Sequence, residues 1–124
     1  MTAAFPPIVL EAFEKVKEVE VETRSAKGAV HKVIIWIVVV DGVPYVRSVR
    51  GARGRWFREL LARGEGAIRV GKRRIPVRPV RVRGAATNEK VSDAIREKYP
   101  GPKASVASMV RDEVLGTTAK LEPA

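Results

Sequence analysis

With 124 residues and 45% hydrophobic content, the chain is long enough to bury a real core as one domain. It has no cysteine, which excludes disulfide scaffolds, thiolate metal sites and cysteine nucleophiles and fits a reducing compartment. The formal net charge of +10 points to anionic partners.

Pro6 and Pro7 precede Ile8 to Val16, where apolar residues recur at helical spacing, so the pattern predicts an N-terminal helix over about 7–16. Val19, Val21 and Thr23 then alternate with acidic residues and Arg24, as in a half-exposed strand. The run Val33 to Val40 is apolar throughout and reads as a single strand buried on both faces. Asp41-Gly42 marks a two-residue hairpin, and Val43 to Arg50 is the return strand. A glycine loop, Gly51 to Gly54, leads into a helix carrying Trp56, Phe57, Leu60 and Leu61, with Gly64 as its C-terminal cap.

Ala67 to Val70 and Arg74 to Arg83 predict a second hairpin turning at Gly71 and Lys72. In its return strand Ile75 and Val77 share one face while Val80 and Val82 lie on the other, which predicts a bulge or bend near Pro79. Asn88 is placed to cap a helix over Glu89 to Tyr99 that Pro100 and Gly101 end, and Ser105 to Leu115 reads as another helix. Thr117 to Leu121 predicts a closing strand. The expected fold is α+β, mainly β: one domain over 1–124, a small antiparallel barrel over about 17–83, helical segments over about 89–115 and a strand over about 117–121.

Met1 to Val9 lacks a signal-peptide pattern, and Val33 to Val40 is too short to cross a bilayer as a helix, so the expected location is cytoplasmic, away from any membrane. The single histidine, His31, lacks the companions that a zinc site or a Ser-His triad requires and is read as structural. No general acid or base stands out.

The positive charge is concentrated. Between Arg47 and Arg83 there are thirteen basic residues, twelve of them arginine, against two acids, Glu59 and Glu65. Outside this window, eleven basic residues face twelve acids, and lysines outnumber arginines by eight to three. Guanidinium forks suit phosphates and carboxylates. The sharpest local arrangement is Tyr45 to Trp56, where a strand ends in Arg47 and Ser48, a glycine loop follows, and a helix begins near Arg53 and Arg55. A helix N-terminus offers free N–H groups and a partial positive charge, so Arg47, Ser48, Arg53 and Arg55 are the expected holders of a terminal phosphate. Arg78, Arg81 and Arg83 fit the exposed face of a strand equally well.

From Thr23 to Val70 the order of parts resembles the split-barrel flavin- and deazaflavin-binding group that contains the pyridoxamine-phosphate-oxidase-like proteins. The parts are Val33–Val40, Asp41-Gly42, Tyr45–Ser48, Gly51–Gly54, Trp56–Arg63 and Ala67–Val70. Within that group the chain resembles bacterial domain-of-unknown-function family 2255, through its Arg-Trp helix start, Lys98-Tyr99, Gly101-Pro102 and Thr117-Thr118. The resemblance implies a six-stranded split β-barrel with flanking helices, usually a homodimer, with flavin mononucleotide (FMN) or a deazaflavin at the subunit interface and possible oxidoreductase chemistry. It places the cofactor phosphate on Arg47, Ser48, Arg53 and Arg55. The chain departs from many cofactor-binding relatives in reading Ala62-Arg63-Gly64-Glu65 where they carry Asn-Pro. Two other readings stay open: a basic barrel module that binds nucleic acid or another polyanion, and a protein whose arginines serve surface ion pairs.

Overall fold

The computed structural model describes residues 4–99, 101 and 103–124. Pro100, expected to help end a helix, and Pro102 of the Gly-Pro pair lie outside the described residues, as do the first three positions of the N-terminal stretch. In chain order the elements are α1 (Pro7–Lys15), β1 (Val19–Arg24), β2 (Val30–Ile35), β3 (Val38–Val40), β4 (Val43–Val46), α2 (Arg55–Arg63), β5 (Gly66–Val70), β6 (Arg73–Arg81), α3 (Ala85–Lys98), α4 (Lys103–Val110), α5 (Asp112–Leu115) and β7 (Ala119–Pro123). A turn of 3₁₀ helix, Gly51–Arg53, leads into α2.

All described strand pairings are antiparallel, in one sheet of order β2-β1-β5-β6-β7-β4-β3. The two end strands, β2 and β3, are separated in the chain only by Trp36 and Ile37. The sheet therefore curls until its ends meet at that corner, making a half-barrel, mainly β with helices around it. This corrects the single strand expected over Val33 to Val40. The run is apolar without being uniformly buried: Ile34 is 63% exposed while Ile37 is 1% exposed. A corner lets consecutive apolar residues serve different surfaces, which a straight buried strand does not.

Lys98 and Tyr99 pin the corner. The Tyr99 ring stacks on Trp36, with centroids 4.0 Å apart and planes 7° from parallel. Its hydroxyl accepts the Ile37 N–H at 3.3 Å and donates to the Lys17 carbonyl at 2.5 Å. Lys98 Nζ donates to the carbonyls of Ile37 at 2.6 Å and Phe13 at 2.7 Å. Burial pulls the Lys98 ammonium down to about 8 and pushes the Tyr99 phenol up to about 12.

The Asp41-Gly42 turn forms as expected. Val40 pairs with Val43, and both turn residues have positive φ, 51° and 77°, the geometry that an Asp-Gly pair tolerates. The return strand stops at Val46 rather than running to Arg50. β6 keeps one register from Arg73 to Arg81 without a bulge. It pairs with β5 up to Val77 and with β7 from Val77 onward, and Val80 simply faces outward, 40% exposed.

α3 starts at Ala85 with Gly84 as its N-cap, so Asn88 lies within the first turn instead of capping it. The segment expected as one helix over Ser105 to Leu115 is two, broken at Arg111. Thr117 and Thr118 precede β7. The barrel interior is filled by Phe13, Val21, Leu60, Ile68, Val77 and Leu121, each no more than 1% exposed. A second cluster packs Val91, Ile95 and Tyr99 of the α3 region against Val38 and Tyr45.

Candidate functional site

The end of β4 is anchored from behind by a buried guanidinium. Arg47 is 2% exposed. Its Nε donates to Thr118 Oγ1 at 2.7 Å, its Nη1 to Ser92 Oγ at 2.8 Å and the Met109 carbonyl at 3.1 Å. Its Nη2 donates to the Asn88 carbonyl at 2.8 Å and to Asn88 Oδ1 at 3.3 Å. A guanidinium has five N–H donors, and the fold accepts all of them. Burial, aided by the like charge of Arg96, draws the group down to about 10. Arg47, expected to hold a phosphate, thus backs the strand end from inside with its N–H donors engaged within the fold. Asn88, read as a helix cap, is one of its acceptors.

Ser48 follows, with no exposed surface. Its N–H donates to Thr117 Oγ1 at 3.0 Å, and its carbonyl accepts the Gly51 N–H at 2.9 Å, which closes the turn into the 3₁₀ helix. Its hydroxyl is the one buried side-chain polar atom among the described residues with no hydrogen-bond partner. Burying a hydroxyl unpaired costs about 1–3 kcal/mol. This hydroxyl faces Gly54, where an added Cβ would collide with it. Gly54 is also the N-cap of α2, and no side chain caps that helix. The N–H groups of a first helical turn have no acceptor within the helix and attract anions.

A groove of about 650 Å³ runs past this point, within the usual size of a small-molecule site. Its lining includes the polar Ser48, Arg50 and Arg55 with Gly54, and the apolar Ile34, Trp36 and Trp56. Ser105, Ser108 and Met109 of α4 complete it, and Glu18 is the one carboxylate among its lining residues. Arg111, at the break after α4, donates to the carbonyls of Val49 at 2.7 Å and Ser108 at 2.5 Å, holding α4 to the loop beyond Ser48.

Of the four residues expected to hold a phosphate, Arg47, Ser48 and Arg55 line this groove, Arg47 with its donors already engaged. Arg53 sits exposed on the 3₁₀ turn and is not part of the lining. Arg50 is not among the expected site residues, and Trp36 falls in the run expected as a buried strand. An isolated arginine before a glycine gives no phase signal, and nothing in a straight apolar strand signals a corner.

The rest of the basic window serves several purposes. Glu22, 7% exposed, accepts from Arg74 Nε at 2.9 Å and Nη2 at 2.7 Å, and Arg69 lies 3.5 Å away. The hydrogen bonds from Arg74 hold the Glu22 carboxyl below its ordinary range despite burial. Arg81 donates to the Gly116 carbonyl at 2.6 Å and lies over the Phe57 ring. His31 Nδ1 lies 3.0 Å from both oxygens of Glu59, which also accepts from Thr23 Oγ1 at 2.8 Å. Arg47, Arg69, Arg74 and Arg81 of the window are therefore engaged within the chain. Among the described residues no helix is long and apolar enough to cross a membrane.

Solved structures share this architecture at low identity. A pyridoxamine 5'-phosphate oxidase candidate from Listeria innocua is 13% identical, with a TM-score of 0.67 over 94% of this chain and 90% of that one. The heme storage protein HutZ from Vibrio cholerae is 15% identical, with a TM-score of 0.64 over 98% and 91% of the two chains. An F420-H2 dependent reductase is 19% identical, with a TM-score of 0.62 over 86% and 94%. These neighbours are split-barrel proteins, and the fold is theirs. No curated protein matches the sequence. Residues 9–121 match the family described as "Uncharacterized protein conserved in bacteria (DUF2255)", and with nearly the whole chain covered, the protein belongs to that family.

Proposed function

We propose that the groove binds FMN or a deazaflavin by its phosphate, and that the protein works as a flavin- or deazaflavin-dependent oxidoreductase. The observation that carries this reading is the unpartnered Ser48 hydroxyl, sealed against Gly54 at the uncapped start of α2. With Ser48 fully buried, a phosphate at the start of α2 reaches its hydroxyl as the Gly51–Gly54 loop shifts. It would then satisfy the hydroxyl and the first-turn N–H groups together, with Arg50 and Arg55 balancing its charge. Arg47 then acts as a positioning residue, fixing the strand end from inside. The apolar side chains of Ile34, Trp36 and Trp56 suit a planar ring. When bound, the ring supplies hydride transfer, and the protein contributes orientation and electrostatics. Heme fits less well, because the single histidine is turned to Glu59 and does not line the groove.

A homodimer belongs to the same proposal. Ile34 and Val30 on β2 are 63% and 45% exposed, and Ile34 borders the groove, so a second copy seated on β2 would cover apolar surface and ligand together. Light scattering of wild type and Ile34→Asp tests this, with the variant expected as a monomer. Titration of the purified protein with FMN and with a deazaflavin tests the binding. Ser48→Ala and Arg55→Ala should each weaken it about tenfold or more, as loss of a charge-assisted hydrogen bond does, while Arg53→Ala should leave it unchanged. Absence of saturable binding of either compound to wild type would remove the cofactor reading.

A further inference from the structure

The outer face of α2 carries a second concavity that the cofactor reading does not use. Arg55, Arg58, Glu59, Ala62 and Arg63 follow helical spacing on one face, opposite the buried Trp56, Phe57 and Leu60. With Arg24 at the end of β1 and Ala26 from the β1–β2 connection they line a groove of about 540 Å³. Four guanidiniums from two separate parts of the chain thus border one hollow.

Their counter-charge falls short: Glu59, which feels the charge of Arg55, is the single carboxylate among four guanidiniums. None of Arg24, Arg55, Arg58 and Arg63 forms an ion pair among the described residues, whereas Arg69 and Arg74 on the neighbouring strands both do. The one acid in the groove, Glu59, is already committed to Thr23 and His31, and its side chain is only 13% exposed. Arg63 Nη2 donates to the Ser25 carbonyl at 3.0 Å, tying the end of α2 to the β1–β2 connection. At about 1.5 Å rise per residue, Arg55 and Arg63 stand roughly 12 Å apart along the helix, farther than one phosphate reaches. The small Ala62 between them keeps the floor open. Like charges gathered without partners repel, and a multiply charged anion relieves that repulsion with bidentate contacts.

We propose that this groove binds a small ligand bearing a chain of two or more phosphate groups, free or as the polyphosphate of a nucleotide. It shares only Arg55 with the cofactor groove, and its test separates the two. Calorimetric titration of the full chain at physiological salt should show saturable binding of inorganic tripolyphosphate, with orthophosphate at least about tenfold weaker. Arg58→Ala/Arg63→Ala should lower tripolyphosphate affinity about tenfold or more, Arg58→Lys/Arg63→Lys should restore part of it, and Ser48→Ala should leave it unchanged. ATP binding like tripolyphosphate assigns recognition to the phosphate chain alone, and tighter binding of ATP assigns it to a nucleotide. Absence of saturable tripolyphosphate binding overturns the proposal. So does loss of binding in Ser48→Ala equal to that in the double variant, or binding of an oligonucleotide without binding of tripolyphosphate.

Discussion

Arg47 Nε lies 2.7 Å from Thr118 Oγ1, and this bond ties the residue after β4 to the residue before β7. It is the first of five hydrogen bonds that gather β4, α3, α4 and the approach to β7 around one buried cation. Removing the cation strands its acceptors. Arg47→Ala should therefore destabilise the fold by about 3–5 kcal/mol, measured by denaturant unfolding. Arg47→Lys keeps the charge but has three donors in a different geometry, and should lose about 1–3 kcal/mol. If both variants unfold at the wild-type midpoint, the guanidinium does not anchor the end of β4.

Ser48 is expected to show the opposite pattern. Its hydroxyl is buried without a partner, so Ser48→Ala should leave stability unchanged or raise it by up to about 1 kcal/mol while weakening FMN or deazaflavin binding. A hydroxyl with only a structural role would not separate the two readouts. Gly54→Ala should also weaken binding, because its Cβ would collide with Ser48 Oγ and displace it. Thermal melts and cofactor titrations on the same preparations make the comparison.

Glu22 supplies a pH signature. Its carboxyl is held below its ordinary value in the folded state, so its contribution is present above about pH 4.5 and fades as pH falls through the folded value. Glu22→Gln should cost about 1–3 kcal/mol at neutral pH. That gap should close in acid, when wild type and variant are both neutral at this position. Urea unfolding at several pH values reads the difference.

Lys98 runs the other way. Burial lowers it from its ordinary 10.5 to about 8, so between those values the unfolded chain binds more protons than the folded one. Stability then rises with pH across that window. The wild-type minus Lys98→Met difference isolates the effect, and it should grow in favour of wild type from pH 8 to 10. Above pH 10 the raised Tyr99 phenol acts in the reverse sense, since the folded chain then holds the extra proton. A difference that stays flat from pH 8 to 10 would contradict the burial of the ammonium.

Much of the architecture is local information. Alternation in Val19 to Arg24, the Asp41-Gly42 turn, the amphipathic stripe of α2 and its Gly64 cap each follow from residues a few positions apart, where backbone geometry links spacing to a face. The strand–glycine–helix order around Ser48 was visible for the same reason, and so was the concentration of arginine.

What became of each arginine was not visible. Arg47 and Arg50 are three positions apart, yet one is buried among acceptors drawn from residues 88 to 118 while the other lines an open groove. Arg74 and Arg58 carry the same group, and Glu22 neutralises one while the acid beside the other has turned to Thr23 and His31. The corner at Trp36 and Ile37 likewise depends on Lys98 and Tyr99, some sixty residues away. Spacing along a chain sets faces, whereas partners are set by which distant segments the curled sheet brings within hydrogen-bond reach. Charge and turn chemistry were therefore written in the sequence, and the tertiary fold alone divided the arginines among bolt, ion pair and groove.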